Sequence, residues 1–172
     1  MTASNFPASL KLVLQSEGGN DDDPQDHGGR TSRGITQREY DAWRKEKGQP
    51  TLDVWQAPEN DIDTIYHDEY WAPNYCDLMP AGLDYLFFNN AVLEGSHEAT
   101  LLLQRSLGVA ADGRIGPVTR IAILNCNASA MITKVSAASA AFYQSLNQPR
   151  FIKGWLNRVR FAKNQALAMV PQ

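Results

Sequence analysis

The sequence predicts a mostly α-helical fold with at most one small β-hairpin near residues 26–36. Apolar residues recur at helical spacing through most of the chain, as at Phe6, Leu10, Val13 and Leu14. Capping residues, prolines and glycines mark helix starts and stops, and no alternating β-α pattern is visible. The 172 residues suit one ordinary domain, or one domain with a small appendage. Hydrophobics at 43% and charges at 20% fit a folded chain and argue against a disordered tail.

Taken in order, residues 6–16 form an amphipathic helix that runs into Glu17-Gly18-Gly19, where glycine stops it. Glu17 then stands at a helix C-terminus, whose dipole disfavours a carboxylate. Residues 20–35 are rich in Asp, Gly, Pro, Arg and Thr and read as irregular chain or a small hairpin. Thr36-Gln37-Arg38-Glu39 is a capping box that opens a helix through about Lys47, ended by Gly48 and Pro50. Pro58 suits the first position of a helix reaching about Tyr70. The apolar stretch 83–93 reads as a buried central helix, and Ser96 is placed to cap another that runs to Leu107. Gly108 and Asp112-Gly113 punctuate the chain and Pro117 starts the next helix; two more lie near residues 129–146 and 150–169.

Several function classes are excluded or disfavoured. No apolar run approaches the roughly 18 residues of a membrane span. The N-terminal residues lack the basic start of a secretory signal. Cys76 and Cys126 are too few for a disulfide scaffold and lack zinc-site spacing; both are expected to stay reduced and buried. The net charge of −3 hides a division: residues 1–100 carry 7 Lys and Arg against 18 Asp and Glu, and residues 101–172 carry 9 against 1, Asp112. A basic half fits an anionic partner such as nucleic acid, lipid headgroups or wall polymer. It fits equally well a half that docks on the acidic remainder. Nucleic acid is disfavoured because no reading motif accompanies the cations.

The densest cluster of chemically useful residues runs from Glu17 to Thr36. It offers a carboxylate at a helix end, a second nine residues on at Asp26, hydroxyls at Thr31, Ser32 and Thr36, and five glycines. Glycosidic cleavage needs two carboxylates, one protonated to donate to the leaving oxygen and one ionised to activate water or stabilise the cationic sugar. Thr36 is better explained as the helix cap. Asp21-x-Asp23 begins like a calcium loop, but Asp26 and Ser32 occupy the positions of its glycine and bidentate glutamate. His97-Glu98 begins a zinc-protease motif that fails at Leu101. Tyr66, Tyr70 and Trp71 fall on adjacent helical turns, as a sugar-stacking wall or as core packing.

Glu17, Gly18, Gly19, Asp26, Gly28, Gly29, Thr31, Gly34, Ile35 and Thr36 fit a spaced pattern that resembles the signature of the glycoside hydrolase family 108 muramidases. The Glu17, Asp26, Thr31 order is also similar to that of phage-type lysozymes. A second block, Leu103-Gln104, Leu107-Gly108-Val109, Asp112-Gly113, Ile115-Gly116-Pro117 and Thr119, resembles the peptidoglycan-binding segment of that family. A third, Gly154-Trp155-Leu156-Asn157-Arg158-Val159, is similar to its C-terminal motif. Where relatives often show Asn-x-Gly, this chain has Asn89-Asn90-Ala91 and then Gly95, and no substrate contact is assigned there.

The resemblance implies a lysozyme-like helical bundle with residues 1–95 as catalytic region. Residues 96–172 would be a helical peptidoglycan-binding region packed on it, or part of one compact domain. It implies a muramidase cleaving the β-1,4 bond between N-acetylmuramic acid and N-acetylglucosamine. Glu17 would be the general acid, Asp26 the ionised carboxylate and Thr31 a residue that orients water. Carboxylate separation decides between inversion, at roughly 6.5–9.5 Å, and retention, at about 5–5.5 Å; the phage-lysozyme similarity favours inversion. Tyr70, Trp71 and Gln104 are the expected substrate-binding residues. Neither cofactor nor metal is called for. Peptidoglycan is the expected partner of a monomer whose basic C-terminal half also attracts anionic wall or membrane. The family points to a phage or prophage endolysin, made in the host cytoplasm without a signal peptide and acting on the wall after release. A lytic transglycosylase and a peptidoglycan-binding module without turnover remain as alternatives.

Overall fold

Capping chemistry and apolar periodicity divide this chain into helices, and the computed structural model shows where each begins. It describes residues 4–17, 20–21 and 30–171. The described elements run α1 (Phe6–Glu17), β1 (Asn20–Asp21), β2 (Thr31–Ser32), β3 (Ile35–Thr36), α2 (Gln37–Glu46), α3 (Glu59–Tyr66), α4 (Leu83–Glu94), α5 (Ser96–Leu107), α6 (Pro117–Leu124), α7 (Ala128–Ser145) and α8 (Ile152–Met169). The fold is mostly α, as the sequence predicts. The hairpin of β2 and β3 carries one further two-residue strand, giving an antiparallel sheet in the order β1-β2-β3. Two compact units result, one of residues up to Phe6 together with Tyr70 onward, the other Pro7–Glu69.

In the unit Pro7–Glu69, α2 starts as its sequence demands. Thr36 accepts the Glu39 amide at 3.2 Å while the Glu39 carboxylate accepts the Thr36 amide at 2.9 Å, a full capping box. Gln37 then ties the helix to the next loop, donating to Leu52 O at 2.8 Å and accepting Val54 N–H at 2.7 Å. The half-buried pair Arg44–Asp61 (3.1 Å) joins α2 to α3, and the Tyr40 hydroxyl donates to the same Asp61 at 2.6 Å. Burial, then the Asp61 carboxylate, pushes the Tyr40 hydroxyl above its ordinary pKa.

The second unit is built on α4. Every residue from Leu83 to Ala91 is buried, so this helix has no solvent face and packs against α5, α7 and α8. Gly82, φ +85°, allows the close approach: a Cβ there would collide with the Ala166 carbonyl of α8. Asn90 spans to α7, donating to Ser139 Oγ at 2.9 Å. On α8 the buried contacts are Ala162 and Ala166, and Trp155 packs on Tyr143 with centroids 5.2 Å apart. Arg150, Lys153 and Arg160 are exposed. The basic helix thus adds Ala162 and Ala166 to the bundle core, with Trp155, Leu156 and Val159 half-buried and Phe161 exposed. No helix of the described residues is long and apolar enough to cross a membrane.

Three local expectations are corrected. Ser96 is the first residue of α5 and not its cap: Gly95, φ +85°, holds the cap position, and the Ser96 hydroxyl oxygen accepts from Asn74 instead. The helix after Pro58 ends at Tyr66 and widens into a π turn over His67–Trp71. Cys126 is only half-buried, while Cys76 is enclosed and both are free thiols; burial lifts the Cys76 thiol well above its ordinary pKa.

Candidate active site

Helix α1 buries Leu10 and Val13 and closes at Glu17. Three residues later the chain is already paired. Strand β1 lies antiparallel to β2 with Asn20 opposite Ser32 and Asp21 opposite Thr31. Strand β2 pairs in turn with β3, Thr31 opposite Thr36 and Ser32 opposite Ile35. The backbone therefore brings the strand of Thr31 beside the segment that leaves Glu17, although 14 positions separate them in sequence.

The β2–β3 turn needs left-handed backbone at both central residues, Arg33 (φ 51°) and Gly34 (φ 80°). That conformation is uncommon for arginine. It is held from outside: the Arg33 guanidinium donates to Ala57 O at 2.9 Å, and the Tyr66 hydroxyl donates to Arg33 O at 2.7 Å. The sheet is fixed from the other side by Trp55, whose indole N–H donates to Thr31 O at 3.0 Å. Arg30 lies over the Trp55 ring at 4.4 Å and pairs with Asp53 at 2.6 Å. Its carbonyl accepts Gln37 N–H at 2.8 Å. Thr31, half-buried, is thus anchored through its backbone by two strands and an indole.

Trp55 and the Arg33–Tyr66 contact are not legible in the sequence as parts of this site. The available signal is a tryptophan two residues after Asp53 in the short segment between Pro50 and Pro58.

The remaining expected site residues meet different fates. Asp26 lies outside the described residues. Tyr70 is half-buried in the π turn, and its carbonyl accepts from Asn74 Nδ2 at 2.7 Å. Trp71 is enclosed, with its ring between Phe6 (5.4 Å) and Phe88 (5.5 Å) and its indole N–H on Asp77 at 2.9 Å. It has no open face on which a sugar can stack, so it is a core residue.

Gln104 is 1% exposed and likewise does not reach a ligand. Its amide nitrogen donates to Asp112 Oδ1 (2.8 Å) and Arg114 O (2.9 Å), with Thr119 Oγ1 at 3.0 Å. Its oxygen accepts the N–H groups of Asp112 and Gly113, both at 2.9 Å. Gln104 therefore positions the loop 112–116, and its amide holds the Asp112 carboxyl below the usual range. Trp71 and Gln104 both belong to the unit that starts again at Tyr70, and Glu17 and Thr31 belong to the other. Among the described residues no three His, Cys, Asp or Glu side chains are grouped to hold a metal ion.

Comparison with known proteins accounts for this arrangement. Residues 10–95 match the model of glycosyl hydrolase 108, and residues 98–160 match a predicted peptidoglycan domain. The structure of Brucella abortus SagA superposes with a TM-score of 0.83 at 31% sequence identity, covering 98% of this chain and 97% of that one. No curated protein matches the chain. A short sheet pairing onto the exit of α1, with a helical bundle after it that bears a peptidoglycan domain, belongs to a glycoside hydrolase of peptidoglycan, and the chain is a member of glycosyl hydrolase family 108.

Proposed function

We propose that this hydrolase is an N-acetylmuramidase that cleaves the β-1,4 bond between N-acetylmuramic acid and N-acetylglucosamine. The observation that carries the reading is the pairing of β1 with β2, which ties the strand of Thr31 to the chain leaving Glu17. Glu17 closes α1, and the negative end of a helix dipole favours the neutral acid that a proton donor must be at working pH. In the proposed step Glu17 gives its proton to the glycosidic oxygen as the C1–O bond breaks. Asp26 accepts a proton from the incoming water, and Thr31 orients that water. The products are a reducing-end N-acetylmuramic acid and a free 4-hydroxyl on the departing sugar. Tyr70, half-buried at the start of the second unit, is retained as a substrate contact.

Mass spectrometry of purified peptidoglycan digested by wild type and by Glu17→Gln tests this. Reducing N-acetylmuramic acid ends are expected from wild type and are expected to fall at least about a hundredfold in the variant, the scale of a lost general acid. Anhydro-muropeptides from wild type would make the enzyme a lytic transglycosylase. No soluble fragments, with the protein still pelleting with the wall, would leave a binding module.

The biological role proposed with it is that of a phage or prophage endolysin, monomeric and released onto the wall from the cytoplasm. The resemblance of the sequence to that family supports this role. Cytoplasmic expression is expected to be harmless until a membrane pore is co-expressed, when cultures should clear. Clearing without the pore would overturn it.

A further inference from the structure

A cavity of about 390 Å³ opens in the unit that carries the peptidoglycan domain, at the low end of the roughly 300–1,000 Å³ usual for ligand sites. It has a buried polar floor and an exposed cationic rim. On the floor, Asn74 is 7% and Thr100 2% exposed. Both amide hydrogens of Asn74 are committed, to Tyr70 O (2.7 Å) and Ser96 Oγ (2.9 Å). The Thr100 hydroxyl proton is committed to Ser96 O at 2.7 Å. Because the Ser96 oxygen already accepts from Asn74, its own O–H is directed elsewhere.

One wall is the His97 imidazole, packed so tightly on Gly113 that a Cβ at that position would run into the ring. Gly113 has φ +73° and belongs to the loop that Gln104 clamps, so the buried amide of Gln104 fixes this wall from behind. The same loop presents Arg114, exposed at the rim. The opposite rim is Tyr75, 42% exposed and itself held at φ 56°, with the Arg120 guanidinium 5.0 Å over its ring.

The polar groups that line the opening thus include the Ser96 hydroxyl, the His97 imidazole and the Arg114 guanidinium, and a second guanidinium, Arg120, lies against the Tyr75 ring. Among the described residues no carboxylate lines the cavity. That chemistry selects a carboxylate. A neutral sugar offers no charge for the Arg114 guanidinium at the rim to pair with. In a polymer whose glycan strand is the substrate of the other unit, the carboxylates are concentrated on the peptide stems. We propose that this cavity is a recognition site for the carboxylate-bearing stem peptide of peptidoglycan, separate from the glycan-cleaving residues. The inference rests on the hydrolase reading for the identity of the polymer, and not on which glycosidic bond is cut.

Titration of the ¹⁵N-labelled full chain with a free stem tetrapeptide, and separately with chitotetraose, tests it without any turnover. The tetrapeptide should shift the amides of Tyr75, Ser96, His97 and residues 113–116. Its affinity should fall about tenfold or more in Arg114→Glu and in Arg120→Glu, and should be partly kept in Arg114→Lys. Dispersed spectra of the variants show whether each has folded. Absence of tetrapeptide binding, affinity unchanged from wild type in both charge-reversed variants, or the same amide shifts from chitotetraose would overturn the proposal. Because stem peptides contain no glycosidic bond, failure of the Glu17→Gln experiment leaves this result to stand or fall alone.

Discussion

Glu94, the last residue of α4, is a carboxyl whose behaviour depends on where the fold puts it. Burial pushes its pKa up to about 7 from an ordinary 4.5, and the Tyr143 and Ser139 hydroxyls only partly offset that effect. Neither oxygen is in a full hydrogen bond. The folded-state pKa lies above the unfolded one, so between about pH 4.5 and 7 the native protein holds the extra proton and stability falls as pH rises. Above about pH 7 the loss is complete and amounts to up to about 3 kcal/mol. The melting temperature is expected to fall from pH 5 to pH 8 in wild type and to stay flatter in Glu94→Gln. An equal slope in both would show that another group controls it.

Sequence does not rank such residues, because residue type and spacing do not reveal enclosure. Trp71 and Gln104 are chemically suited to sugar, yet both are interior for reasons set by distant residues, Phe6 and Phe88 in one case and the 112–116 loop in the other. Thr36 is legible because its partner, Glu39, is only three positions away.

Among the elements, those governed by local chemistry are legible in the sequence and those governed by packing are not. The capping box of α2, the Pro117 start of α6 and the largely apolar stretch of α4 are all visible within a dozen residues. The π turn over His67–Trp71 is not. A π turn closes its hydrogen bonds over one more residue than an α-helical turn, and helical spacing in sequence does not announce it. Of the three aromatics on adjacent turns, Tyr66 and Trp71 are enclosed as core packing and Tyr70 is left half-buried. The three-stranded sheet is half legible: the Arg33-Gly34 turn lies within the expected hairpin, but β1 joins through pairing that no local pattern announces.

The loop clamped by Gln104 provides the test at this scale. Gln104→Ala removes both acceptor contacts from the Asp112 and Gly113 amides and the donor to Arg114 O. Denaturant unfolding should show a loss of about 3 kcal/mol, with faster hydrogen exchange at Asp112 and Gly113. A loss under about 1 kcal/mol would mean that the loop holds its shape without the clamp.

For the whole molecule, the charge division read from sequence acquires a location. The exposed cations Arg150, Lys153 and Arg160 sit at the start and solvent side of α8, which packs on α7 and α4 through Ala162 and Ala166. Such a face can attract an anionic wall through solvent but cannot also insert into a bilayer without unpacking the core. Pelleting of the protein with isolated sacculi should therefore weaken steeply as salt rises through about 0.15 M, where exposed charges are screened beyond about 8 Å. A peptide of residues 150–170 alone should bind sacculi less tightly than the full chain. Salt-independent pelleting would assign adhesion to contacts other than these cations.

The polypeptide enters the unit Pro7–Glu69 from Phe6 and leaves it at Tyr70, and Phe6 and Trp71, 5.4 Å apart, are both packed in the unit that it leaves and rejoins. Residues Ser4 and Asn5 are moored there as well, on Asp77 and Asp84. The Pro7–Glu69 segment is an insertion closed at both ends. A protease that nicks the backbone once between residues 7 and 69 therefore yields two fragments each still anchored in the same folded unit. Nicked and intact enzyme should elute together from gel filtration and separate only in denaturant, so integrity judged by size under native conditions will overestimate the fraction of intact catalytic chain.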